Sequence, residues 1–87
     1  MLTLEVLLNT VPVEVVTALK EELIRGGLTG TACLGRHDSF PDAVYLMAQH
    51  EREAPFSALF GRKDLATPEA ARGLAFGFLL KWEQRPR

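Results

Sequence analysis

Leu2, Leu4, Val6 and Leu8 alternate with Thr3, Glu5, Leu7 and Asn9 at the start of the chain. A period of two sustained over this length puts one set of side chains on one face of a β-strand and buries that face. The run ends at Asn9-Thr10-Val11-Pro12, where Pro12 cannot donate to a ladder but suits the first turn of a helix. Helical spacing begins at once. Val15, Val16, Leu19 and Leu23 form an i, i+3/i+4 stripe, with Glu14, Lys20, Glu21 and Arg25 turned elsewhere. Thr10 is the N-cap candidate, and Arg25 with Gly26-Gly27 supplies the stop. Leu28, Gly30, Ala32 and Leu34 then alternate with Thr29, Thr31 and Cys33 as a second strand. The opening is thus strand, helix, strand over residues 2–9, 12–26 and 28–34.

The next segments are less sharply patterned. Gly35 to Pro41 is a polar turn. Residues 43–51 fit a strand with Val44, Leu46, Ala48 and His50 on one side, and also a helix aligning Ala43, Leu46, Met47 and His50. The short preceding turn favours the strand, because it completes a hairpin with strand two. Arg52-Glu53-Ala54-Pro55 breaks this element, and Phe56, Leu59 and Phe60 suggest a short helix or an apolar loop before a turn at Gly61-Arg62-Lys63-Asp64.

Thr67-Pro68-Glu69 predicts a helix start: a capping hydroxyl, proline in the first turn, and an acid near the positive helix end. Leu74, Phe78 and Trp82 continue it at spacings of four, beside Ala71, Ala75 and Leu79. Gly73 and Gly77 weaken this helix by roughly 1 kcal/mol each and could line a flat face for close packing. A rival pattern stops the helix at Gly73 and makes a strand with Phe76, Phe78, Leu80 and Trp82 on one side. Residues 84–87 are expected to fray.

The order β-α-β-β-(short α)-α, or β-α-β-β-α-β under the rival pattern, predicts one α+β domain over residues 1–87. The expected architecture is a ferredoxin-like two-layer sandwich, with helices on one face of an antiparallel or mixed sheet. The other sheet face then needs cover, and pairing of copies would hide Leu7, Tyr45 and Met47 there. Phe78 and Trp82 are further interface candidates. A chain of 87 residues buries only about 60–65% of its unfolded surface, so a 47% apolar composition exceeds what one small interior holds. Self-association as a dimer or higher oligomer is therefore expected, with docking on a larger protein partner as an adaptor or inhibitor the alternative.

Ten basic and eleven acidic residues are interspersed, leaving a net charge of −1. This excludes a basic nucleic-acid footprint, and Arg62-Lys63 and Arg85-Pro86-Arg87 are too short to restore one. Cys33 is the single cysteine, which rules out an intrachain disulfide and fits a reducing cytoplasm. The first residues lack a basic leader and an uninterrupted apolar run, so neither a signal peptide nor a membrane span is expected. One Asn, two Gln, and seven Arg against three Lys fit heat adaptation and equally a GC-rich genome.

No catalytic signature is present. Cys33, His37 and His50 could supply three metal ligands with Asp38 as a fourth, but Cys33 lies inside a strand and the spacing is not that of paired ligands on turns. A small thiol with two solvated imidazoles is the simpler reading, so no metal and no cofactor are expected. Cys33 as a nucleophile would need His37 or His50 as base, with Arg36 helping, and nothing marks an oxyanion site. The glycines at 26, 27 and 30 follow a helix and precede a strand, the reverse of a phosphate cradle. The turn Arg36-His37-Asp38-Ser39 gathers four polar functions and is the best place for a small-ligand site. The sequence thus predicts a non-enzymatic, homo-oligomeric binding or regulatory module. A small metal protein or enzyme centred on Cys33, His37 and His50 is the alternative.

Overall fold

The computed structural model describes residues 1–86. Five strand and helix segments match the alternations above: β1 (Leu2–Val6), α1 (Val13–Arg25), β2 (Gly30–Arg36), β3 (Ala43–Gln49) and a long helix over Pro68–Glu83. Residues 56–61, expected as a short helix or apolar loop, instead form a strand, β4 (Phe56–Gly61). Phe56, Ala58 and Phe60 alternate with Ser57 and Leu59, and their side chains complete the core that β3 alone would leave open at its edge. A single 3₁₀ turn (Arg62–Leu65) then leads into α2 (Pro68–Glu83).

The sheet runs β1-β2-β3-β4. β1 lies parallel to β2, from Leu2 opposite Gly30 to Val6 opposite Leu34, and α1 is the crossover between them. β2, β3 and β4 form an antiparallel meander, with Leu34 opposite Leu46 and Leu46 opposite Ala58. The result is a mixed four-stranded α+β sandwich, approximately ferredoxin-like. It differs from the interleaved form in that no strand separates β1 from β2.

Both helices lie on one face of the sheet and against each other. Val15, Leu19 and Leu23 from α1 meet Leu74, Ala75 and Phe78 from α2 above Leu2, Leu34, Val44 and Leu46. Phe78 is fully buried, tilted against Phe56 and stacked near Trp82, so it is core and not the interface residue expected. Its burial contributes about 2–3 kcal/mol. Trp82 is half-buried at the edge of the same cluster, with the Arg85 guanidinium 3.5 Å above its ring. Arg85 also donates to Glu53 (2.8 Å), so the tail that was expected to fray is tied back to the β3–β4 loop. Arg87 lies outside the described residues.

The helix ends repeat the logic of the sequence with one exception. Thr67 Oγ1 accepts from the Ala70 N–H (3.1 Å) with Pro68 in the first turn. At the end of α1, Gly27 takes φ +90° while its N–H bonds Ile24 O and the Leu28 N–H bonds Leu23 O. This is a Schellman closure, with Leu23 and Leu28 both buried. The exception is Thr10. Pro12 occupies the N-cap of α1 with no side-chain cap, and the Thr10 hydroxyl is turned toward Arg62. Gly73 and Gly77 do not admit a close backbone neighbour. Among the described residues nothing lies within reach of a Cβ at Gly73, and only the Phe60 ring lies near Gly77.

Candidate functional site

With both helices on one side, the opposite face of the sheet is uncovered. Strand alternation and register arrange its side chains in rows. Thr3, Thr31 and Gln49 form a polar row at one end. Glu5, Cys33, Met47 and Ser57 cross the middle. Gly35, Tyr45 and Leu59 form the third row, which Leu7 extends through its N–H bond to Leu34 O (2.8 Å). Leu7 and Leu59 are 56% and 50% exposed.

The relief of this face follows from residue size. β2 presents only Thr31, Cys33 and Gly35, whereas β3 presents Tyr45, Met47 and Gln49. The Tyr45 ring lies over Gly35, so a trough opens over Thr31 and Cys33 only, beside a ridge of Met47 and Gln49 on β3. The hollow holds about 340 Å³ and is walled by Thr3, Glu5, Thr31, Cys33 and Met47. Cys33 is half-buried in it, with its thiol 3.8 Å from the Tyr45 hydroxyl. That hydrogen bond is the main cause raising the Tyr45 pKa above its usual 10.0, followed by burial and by nearby negative charge, including Asp38 and Glu5.

A second recess of about 490 Å³ lies at the corner where β1 and β2 end. Arg36 and Asp38 enter it from the β2–β3 side, Arg62 from the end of β4, and Asn9 and Thr10 from the β1–α1 loop, with Tyr45 on its wall. The Arg62 N–H donates to Asp42 O (2.8 Å), and its Nη2 donates to Thr10 Oγ1 (2.7 Å).

No protein-family model, curated protein or solved structure matches this chain. Its chemistry is therefore read from its own geometry.

The expected ligand turn is divided by the structure. Arg36 and Asp38 line the recess. His37 and Ser39 shape the turn, since His37 Nδ1 accepts from the Ser39 N–H (3.1 Å) and its ring lies 5.0 Å from Phe40. Of the expected interface residues, Leu7, Tyr45 and Met47 share the open face, while Phe78 and Trp82 belong to the helix side.

Cys33, His37 and His50 are not brought together. His37 and His50 follow opposite ends of the β2–β3 ladder, which at 3.3 Å per residue separates them by roughly 20 Å. His50 shares a hydrogen bond with Thr29 (2.9 Å) and lies 3.7 Å from Glu51. Among the described residues no group of three or more His, Cys, Asp or Glu is placed to hold a metal ion. Likewise, no helix among them is long and apolar enough to cross a membrane.

Sequence reasoning missed Thr10 and Arg62 as members of a site. They are 52 positions apart and meet only because β4 returns the chain beside the β1–α1 loop. No local pattern carries that signal.

Proposed function

We propose that this chain is a non-enzymatic binding module that works as a homodimer, two copies packing through the open faces of their sheets. The observation that carries the reading is the hollow over Thr31 and Cys33 of β2 lying beside the larger Met47 and Gln49 side chains of β3. An isologous two-fold contact places each patch against its own counterpart, so a surface with adjacent ridge and trough is self-complementary. A two-fold axis between β2 and β3 sets the ridge of each copy into the trough of the other. Sheets packed this way stack about 10 Å apart. Leu7 and Leu59, half-exposed in the single chain, would be covered at the margin.

Four strands 4.8 Å apart and about six residues long project to roughly 400 Å². Side-chain relief enlarges that figure, but the contact stays toward the small end of stable interfaces, which hide about 800 Å² per partner. Association is therefore concentration-dependent. Ile24, Phe76 and Leu80 are also exposed, on the helices, and form the competing apolar surface.

Sedimentation across a concentration series tests the reading. The wild-type chain should pass from monomer to dimer. Met47→Glu, which plants a charge on the ridge, should remain monomeric with an unchanged circular dichroism spectrum. A wild-type monomer at the highest soluble concentration overturns the proposal. So does a dimer that survives Met47→Glu but is lost in Phe76→Ser, which would place the contact on the helices.

A further inference from the structure

The corner recess carries a chemistry that the sheet face lacks. Two arginines line it from different elements, Arg36 from the last position of β2 and Arg62 from just beyond β4. Elsewhere on the molecule Arg25 is met by Glu22 and Arg85 by Glu53. Among the described residues neither Arg36 nor Arg62 has a carboxylate within 4.0 Å.

Arg62 is nonetheless held in place. Its main chain is pinned to Asp42 O and its Nη2 to the Thr10 hydroxyl, a neutral acceptor that leaves the positive charge uncompensated. A guanidinium offers five N–H donors in a rigid fork, and among the described residues one of Arg62's is used. Asp38 borders the same space, again with no cation within 4.0 Å among the described residues. Leu7, Leu8 and the Tyr45 ring supply the apolar wall. At about 490 Å³ the recess is the size of pockets that take small metabolites.

We propose that this recess binds a small organic anion, with one carboxylate or phosphate group held between Arg36 and Arg62. Paired guanidinium groups suit such a group because each can donate two parallel charge-assisted hydrogen bonds to its oxygens. Thr10 orients Arg62 for this contact and is a positioning residue. Asp38 adds discrimination: it opposes a bare anion and favours a ligand whose anionic group is accompanied by an ammonium. The recess shares no residue with the trough along β2 and meets the sheet face only through Leu7 and Tyr45. The inference therefore does not rest on the dimer.

Amide chemical shifts recorded while titrating inorganic phosphate, acetate and glycine, at constant ionic strength, provide the test. Saturable shifts should centre on Asn9, Thr10, Arg36 and Asp38. Arg36→Gln and Arg62→Gln should each weaken binding about tenfold or more. Arg36 makes no hydrogen bond among the described side-chain contacts, so Arg36→Gln reports on binding even if Arg62→Gln loosens the loop. Asp38→Asn should strengthen phosphate and acetate and weaken glycine; strengthening of all three would overturn the role given to Asp38. Repeating the titration in Met47→Glu separates this site from the dimer, since binding should persist there. Shifts spread evenly over the surface, binding indifferent to both arginine substitutions, or no saturable shift with any probe would each overturn the proposal.

Discussion

Tyr45 lies across Gly35, its partner on the neighbouring strand, with the phenol filling the space that a Cβ at Gly35 would occupy. The glycine is buried by this one aromatic ring, and the ring is lowered onto the sheet where it can reach Cys33. Covering a strand glycine with a cross-strand aromatic is a known way of stabilising an otherwise weak position. Here it also sets the border between the trough and the corner recess.

Gly35→Ala should therefore lift the Tyr45 ring off β2 and lower stability by about 1 kcal/mol, read from the urea midpoint. Tyr45→Ala removes the same contact from the other side. The double variant should then cost clearly less than the sum of the two single ones. Strict additivity would mean that the two residues do not depend on each other.

Tyr45 is the only tyrosine, so the phenolate absorbance band reports it alone. Its ionisation should occur above pH 10, and in Cys33→Ala the midpoint should move back toward the ordinary value because the principal cause of the shift is gone. The sign for stability comes from the raised folded-state pKa. The contribution is fully present below the unfolded pKa near 10 and is lost as pH rises toward the folded one. A midpoint unchanged by Cys33→Ala would contradict this coupling.

The backbone offers a contrasting pair at one end of the β2–β3 ladder, beside Thr31 and Gln49. Gly30 holds φ +95°, and a Cβ there would overlap the Gln49 carbonyl oxygen, which is main chain and cannot swing aside. Gly30→Ala should cost more than about 2 kcal/mol. Glu51 holds φ +51° without being glycine, and its only partner among the described ion pairs is an exposed contact with His50. Glu51→Asn should raise stability by about 0.5–1 kcal/mol, since asparagine tolerates this conformation better. Thermal denaturation of both variants decides the matter.

Cys33 lies in the middle of the proposed dimer face and is the only thiol. Reaction with a bulky maleimide should yield a monomer, and the reaction should slow as protein concentration rises. Cys33→Ser, which keeps the trough open, should still dimerise. A fully alkylated chain that dimerises like wild type would remove the sheet face from consideration.

Much of this fold is legible in the residues because its periodicities are local. The alternation in β1, the stripe of α1 and the Thr67-Pro68-Glu69 start each report burial within a few positions. The residues of β3 fit strand or helix alike, and the antiparallel register with β2 decides between them. β4 is hidden because Leu59 faces outward yet is apolar, which blurs the alternation of Phe56, Ala58 and Phe60. Phe78 looks available for a partner because helical spacing shows that residues share a face, but not what covers it. The open face is half legible, through Leu7, Tyr45 and Met47. The recess is not, because Arg62 meets Thr10 only after the whole sheet has closed.

The parallel seam between β1 and β2 has a consequence for how the molecule is made. Loops of six residues join β2 to β3 and β3 to β4, whereas 23 residues separate β1 from β2. The cost of closing a loop rises with its length, and distant pairings form later than neighbouring ones. β1, synthesised ahead of β2, is thus expected to pair only after the β2–β3–β4 meander has formed. Until residue 36 has been made and α1 has wound, β1 is expected to carry its apolar residues unpaired. In the finished protein the same strand, held by one neighbour only, is expected to be the first to release its amides to exchange.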